Sequence, residues 1–130
     1  LSFLGKANAF AQGATGMSRQ VFFCALGGFD THGAQSWQQY DLLKQVAEAL
    51  DAFYKATVEM GVPDRVTSFT LSDFGRTLQP SGTGSDHGWG NHHLILGGAV
   101  QGGKIFGTFP APALGGVPRK SRMAAIVSSG

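Results

Sequence analysis

All four histidines of this 130-residue chain fall in or beside two glycine-rich segments. His32 lies in Gly27-Gly28-Phe29-Asp30-Thr31-His32-Gly33. His87 lies in Asp86-His87-Gly88-Trp89-Gly90, with His92 and His93 just beyond it. Carboxylates accompany both: Asp30 in the first, Asp73 and Asp86 around the second. Imidazole nitrogen and carboxylate oxygen together are ligands for a divalent metal, zinc first, with manganese or iron suited by the same mixed set. The single cysteine, Cys24, lies outside both segments, so a thiolate-bound structural zinc is not expected, nor is an internal disulfide. Asp30 and His32 are two apart, and in extended backbone their side chains point the same way. His92 and His93 are adjacent, so at most one of them joins a shared site; His93 is carried as the candidate.

Singly, these residues have plainer explanations. An Asp after a strand is commonly a helix cap or turn former, and a lone His is commonly surface or satisfied core. Their joint placement is the stronger argument, since no His occurs elsewhere. Arg76, three residues after Asp73, is placed to grip an anionic substrate oxygen, with a surface salt bridge as the plainer alternative. Cys24 reads as an inert core residue. Trp89, between glycines, lines a pocket or pins a loop.

Elements must bring these groups together. Val21-Phe22-Phe23-Cys24-Ala25-Leu26 is a continuous apolar run, which predicts a buried parallel strand. Trp37 to Met60 carries apolar residues at three- and four-residue steps, which predicts a helix stopped by Gly61 and Pro63. Arg65 to Leu71 is β-branched and aromatic and predicts a second strand. Gln79 to Asn91 reads as a loop, with short strands at Leu94–Leu96 and Lys104–Phe106. Strand, long helix, strand predicts a right-handed βαβ unit with the candidate ligands at the carboxyl ends of its strands.

Composition narrows the classes. Hydrophobic residues are 42% and charged residues 14%, which excludes a disordered chain and a charged coiled coil. A net charge of +2 without a basic block counts against nucleic acid. No apolar run approaches the roughly 20 residues of a membrane helix. Gly98 to Lys104 fits half of a phosphate-loop pattern, but Ile105 stands where Ser or Thr is required, so it reads as a turn. No G-x-S-x-G elbow is present.

Four motifs in order, Gly28-Phe29-Asp30-Thr31-His32, Ser72-Asp73-Phe74-Gly75-Arg76-Thr77, Asp86-His87-Gly88-Trp89-Gly90 and Gly97-Gly98-Ala99-Val100-Gln101-Gly102-Gly103, resemble the bacterial exported domain-of-unknown-function family fifteen-zero-one, over about residues 17–110. That family is grouped with the alkaline phosphatase-like, sulfatase-like superfamily. The resemblance implies part of a doubly wound, mainly parallel α/β sheet with flanking helices. It implies a divalent-metal site and hydrolysis of small phosphate or sulfate esters, together with export to the periplasm or beyond. By position, Asp30 and His32 look like an Asp/His pair on one metal. Asp73 looks like the Asp of the superfamily's Asp-His-Gly motif, with Phe74 where its His would stand and His87 supplying the imidazole.

The chain departs from that pattern in two places. Nothing in Leu1 to Gln20 matches the superfamily's nucleophile region, and Val117 to Met123 does not follow the family. The expectation is one partial domain: a weakly structured piece 1–16, a core 17–110 and a divergent tail 111–130, from an incomplete or frameshifted reading frame. Such a fragment of a metal-dependent hydrolase is expected to be inactive alone. The alternative is a non-catalytic exported binding or assembly protein that keeps the fold and its metal. Substrate and oligomeric state are left open by the sequence.

Overall fold

The structure is a computed structural model that describes residues 19–88, 91–107 and the backbone of 124–128. The expected N-terminal piece 1–16, most of the tail and Trp89 lie outside the described residues.

One long helix, α1 (Gln35–Glu59), fits the predicted helix to within two residues at its start and one at its end. Leu42, Val46, Leu50, Phe53 and Thr57 recur along its more protected side, and Thr57 is fully buried. The pairs Lys55–Asp51 (2.7 Å) and Lys44–Glu48 (3.8 Å) decorate the solvent side at i,i+4 spacing. Gly61, with φ of 69°, ends the helix in a left-handed turn. Its N–H reaches Val58 O and the Val62 N–H reaches Thr57 O, both at 2.9 Å, closing off terminal carbonyls. At the other end Ala34 is held at φ 49°, a left-handed conformation unfavourable for any residue with a Cβ.

Beyond the helix the chain makes a single 3-10 turn at Pro63–Arg65 and then short strands. These are β1 (Ser68–Phe69), β2 (Gly75–Ser81), β3 (Gly84–Gly88), β4 (His92–Leu96), β5 (Lys104–Phe106) and β6 (Ala124–Ser128). Four form one sheet in the order β1-β4-β6-β5, while β2 and β3 pair as a separate antiparallel hairpin. In the larger sheet β4 and β6 run parallel, and the β1–β4 and β5–β6 pairs are antiparallel. The architecture is mixed α/β, as expected, and pairing among the described residues is mostly antiparallel.

Several expectations need correction. Val21–Leu26 is not a buried strand: it pairs with no strand among the described residues, and Val21 is 92% and Phe23 81% exposed. A strand apolar on both faces is stable only when covered on both, and no described element covers it. Cys24 is accordingly exposed, not core. The second predicted strand shrinks to the two residues of β1, because Pro63 starts a 3-10 turn. It pairs antiparallel with β4, so the described residues form no βαβ unit. The loop expected over Gln79–Asn91 is largely hairpin, with Gly82 at φ 61° in its turn. The strands at Leu94–Leu96 and Lys104–Phe106 are present, the first extended back to His92. The tail supplies β6 between β4 and β5.

Candidate metal centre

The hairpin and the start of α1 clamp the segment that carries Asp30 and His32. Gly28 sits with its Cα hydrogen toward Leu42, whose methyl would lie 3.4 Å from a Cβ there. The next carbonyl, Phe29 O, is a hub. It accepts from the Thr31 N–H (2.9 Å), from Gln39 Nε2 (3.1 Å) and from the Arg76 guanidinium (2.7 Å). Gln39 also donates to the buried Thr31 hydroxyl at 3.0 Å. Thr83, at the hairpin turn, accepts the Ala34 N–H on its hydroxyl (2.9 Å) and the Gln35 N–H on its carbonyl (3.1 Å). Gly84 lies directly against the His32 backbone: a Cβ there would stand 2.5 Å from the His32 carbonyl oxygen. Only glycine permits that approach.

Within this clamp the two imidazoles converge on one carboxylate. His32 Nε2 is 2.9 Å from Asp30 Oδ1, and His87 Nε2 is 2.7 Å from the same oxygen. Asp30, His32 and His87 each offer a ligand atom, and these atoms lie within 4.8 Å of one another. Their rings are organised too: His87 stacks on Phe74, centroids 4.0 Å apart and planes 7° apart, and less closely with His32 at 5.2 Å and 26°. The hydrogen bond from His87 holds the Asp30 carboxyl below its usual range. The charges of His87 and His32 add to that shift, and desolvation opposes it.

The other candidates divide. Asp86 lies at the edge of the cluster, its Oδ1 3.6 Å from His32 Nδ1, the nitrogen turned away from Asp30. Asp73 is exposed at the bend before β2 and is not in the converging group, contrary to the expected set of Asp30, His32 and Asp73. His93 is 8% exposed within β4 and is likewise outside the group, as is its exposed neighbour His92.

Arg76, expected to grip an anionic oxygen, spends its donors on the fold. It faces His87 directly across the hairpin. Its guanidinium donates to the carbonyls of Ser85 and Phe29, tying β3 to the Asp30 turn. It lies 5.2 Å from the Phe74 ring and 3.9 Å from Asp30 Oδ1. Its Nε is buried without a hydrogen-bond partner among the described residues. The hydroxyls flanking the ligands also make structural hydrogen bonds: Thr31 accepts from Gln39, Thr83 accepts from the Ala34 N–H, and Ser85 donates to Gln35 at 2.9 Å.

Sequence reasoning missed Gln39, Thr83, Gly84 and the part played by Phe74. A signal existed for two of them: Gly82-Thr83-Gly84 is a turn signature between polar stretches. Gln39 had none, because a polar residue on the inner side of a helix is recognised only when its partner is known.

The donor set fits a divalent metal. Two imidazole nitrogens and a carboxylate oxygen are established zinc ligands, with bonds of about 2.0–2.2 Å. They arrive here from two chain segments, with both Nε2 atoms beside Asp30 Oδ1.

This mixed α/β domain with an exposed two-histidine, one-carboxylate cluster belongs to the family described as Protein of unknown function (DUF1501), whose sequence pattern matches residues 5–128. The match extends on both sides of the 17–110 stretch that carries the four motifs. Neither the curated proteins nor the solved structures contain a match to the chain. No helix among the described residues is long and apolar enough to cross a membrane.

Proposed function

We propose that Asp30, His32 and His87 bind a divalent metal, zinc first, and that this centre serves a metal-dependent hydrolase of phosphate or sulfate esters of the alkaline phosphatase-like type. One observation carries the reading: both Nε2 atoms meet Asp30 Oδ1, at 2.9 and 2.7 Å, although His87 and Asp30 are 57 residues apart. Two imidazole nitrogens beside one carboxylate oxygen make up a donor set of the kind zinc accepts.

When bound, the metal supplies a Lewis acid that polarises an ester oxygen or acidifies a water. The chain's own residues hold the ligand geometry. Asp30 neutralises charge at the centre, Arg76 fixes the turn that presents Asp30, and Asp86 stands beside the outward nitrogen of His32. The Thr31 and Thr83 hydroxyls accept hydrogen bonds from Gln39 and from the Ala34 N–H, and the Ser85 hydroxyl donates one to Gln35. The doubly wound parallel sheet and the export from the cytoplasm implied by the family resemblance belong to this reading. The exposed apolar segment Val21–Leu26 supports the former, since it has the sequence of a strand that needs neighbours.

A second reading is a non-catalytic exported protein that retains the metal for binding or assembly. Phe74 favours it: this residue stands where a further imidazole is implied, and it stacks on His87 instead of offering a ligand.

Titration calorimetry with Zn²⁺ tests the centre. The unaltered chain is expected to bind one equivalent, and His87→Ala and Asp30→Ala to weaken binding at least about tenfold. Asp73→Asn should leave it unchanged. Equal losses in Asp73→Asn, or no binding by the unaltered chain, overturn the assignment. Turnover of a phosphate or sulfate monoester by the zinc-loaded chain, lost in His32→Ala, would decide for the hydrolase over the binding protein.

A further inference from the structure

We infer that Phe74 is a positioning residue for this centre: its ring is the platform that holds the His87 imidazole in the orientation that aims Nε2 at Asp30. The inference rests on the metal reading above and adds a residue that supplies no ligand atom. The two rings lie nearly parallel, 7° between planes and 4.0 Å between centroids. His87 itself is about half exposed, and an exposed imidazole on a strand ordinarily samples several rotamers. A flat apolar face laid against one side removes that freedom, so the ring's edge, with Nε2, stays directed at the Asp30 carboxylate.

The platform is itself secured. The Phe74 carbonyl accepts from the Ser72 hydroxyl at 2.8 Å and from the Asn91 amide at 2.9 Å. The Arg76 guanidinium lies 5.2 Å from the Phe74 ring centre, within cation–π range. Arg76 in turn holds Phe29 O, one residue before Asp30. One connected set of contacts therefore fixes the plane of His87 and the position of the carboxylate it faces. Outer contacts of this kind orient metal ligands, and losing one commonly costs about 10- to 100-fold in affinity.

The test compares the unaltered chain with Phe74→Leu, Phe74→Met and Phe74→Tyr, using Zn²⁺ calorimetry, Co²⁺ absorption and far-ultraviolet circular dichroism. Leu and Met keep the apolar fill without the flat face; Tyr keeps the face. Zinc affinity is expected to fall about tenfold in the Leu and Met variants. Their cobalt visible bands should change in intensity while the helical signal of the fold is retained. Phe74→Tyr should restore both affinity and spectrum. Unchanged affinity in both aliphatic variants overturns the inference and leaves the metal reading standing, as does a loss that Phe74→Tyr fails to rescue. No zinc binding by the unaltered chain overturns the metal reading and this inference with it.

Discussion

His87 Nε2 and Asp30 Oδ1 stand 2.7 Å apart, joining the hairpin strand β3 to the segment that leads into α1. The contact sets the protonation behaviour of Asp30. Hydrogen bonding from His87, and then the charges of His87 and His32, hold its carboxyl below the ordinary aspartate value of about 3.9. A group depressed in the folded state contributes stability that is fully present above its unfolded value and disappears as pH falls through the folded one. Carbon-detected NMR titration of Asp30 should therefore give a midpoint below about 3.9, moving upward in His87→Ala. The urea midpoint should be lower at pH 3 than at pH 5, with a smaller difference in His87→Ala. A midpoint at or above the ordinary value would contradict the contact.

Two small residues bracket the His32 segment and should respond oppositely. A Cβ on Gly84 would lie 2.5 Å from the His32 carbonyl oxygen, a backbone atom that cannot step aside alone. Gly84→Ala is expected to destabilise by about 1–3 kcal/mol and to weaken zinc binding by displacing His32. Ala34 is already strained at φ 49°. Ala34→Gly is expected to stabilise by roughly 0.5–1 kcal/mol. Thermal melting of both variants checks the pair.

Arg76 acts here as a strut, and lysine cannot replace it. A guanidinium reaches the Ser85 and Phe29 carbonyls together, whereas an ammonium is a single point. Arg76→Lys is expected to cost about 1–3 kcal/mol and to lower zinc affinity, because the Asp30 turn loosens. Were Arg76 instead a substrate ligand only, Arg76→Lys would leave both melting and zinc binding unchanged.

Apolar exposure bears on solution behaviour. Besides Val21 and Phe23, Leu71 and Ile105 are each 70% exposed, and Tyr40 and Leu43 on α1 are open as well. Apolar surface on this scale is uncommon on a stable monomer. The purified chain is expected to self-associate, as read by light scattering, and the double variant Val21→Lys/Phe23→Lys to reduce the effect. A monodisperse monomer with a sharp cooperative melt would oppose this expectation.

How much was legible in advance differs by element. The helix was, because its apolar residues repeat at the helical period through many turns and Gly61 marks its end. Lys104–Phe106 was, being a β-forming run between glycines. The hairpin was not: Leu78-Gln79-Pro80 and Ser85-Asp86-His87 lack alternation between apolar and polar residues. Its strands are held by backbone pairing and by Arg76 rather than by a buried face. Val21–Leu26 carried a strong strand signal that has no outcome among the described residues, since strand propensity becomes a strand only when another strand supplies hydrogen bonds.

The sequence by itself determined the chemistry on offer: imidazoles and carboxylates concentrated in two glycine-rich segments, and a helix to follow the first of them. It left six candidate ligands, Asp30, His32, Asp73, Asp86, His87 and His93, without a way to choose among them. Tertiary structure brings three of them, Asp30, His32 and His87, together. Spacing along the chain controls only neighbours within a turn or two of backbone, so it related Asp30 to His32 but could not relate either to His87. The hairpin register, which sets Arg76 opposite His87, and the fit of Gly84 against His32 bring His87 to Asp30. The same packing leaves Asp73 at an outer bend and commits His93 to the other sheet. Which groups converge is a property of how two separate segments dock, and docking is decided by backbone and side-chain hydrogen bonds whose partners lie about fifty residues apart.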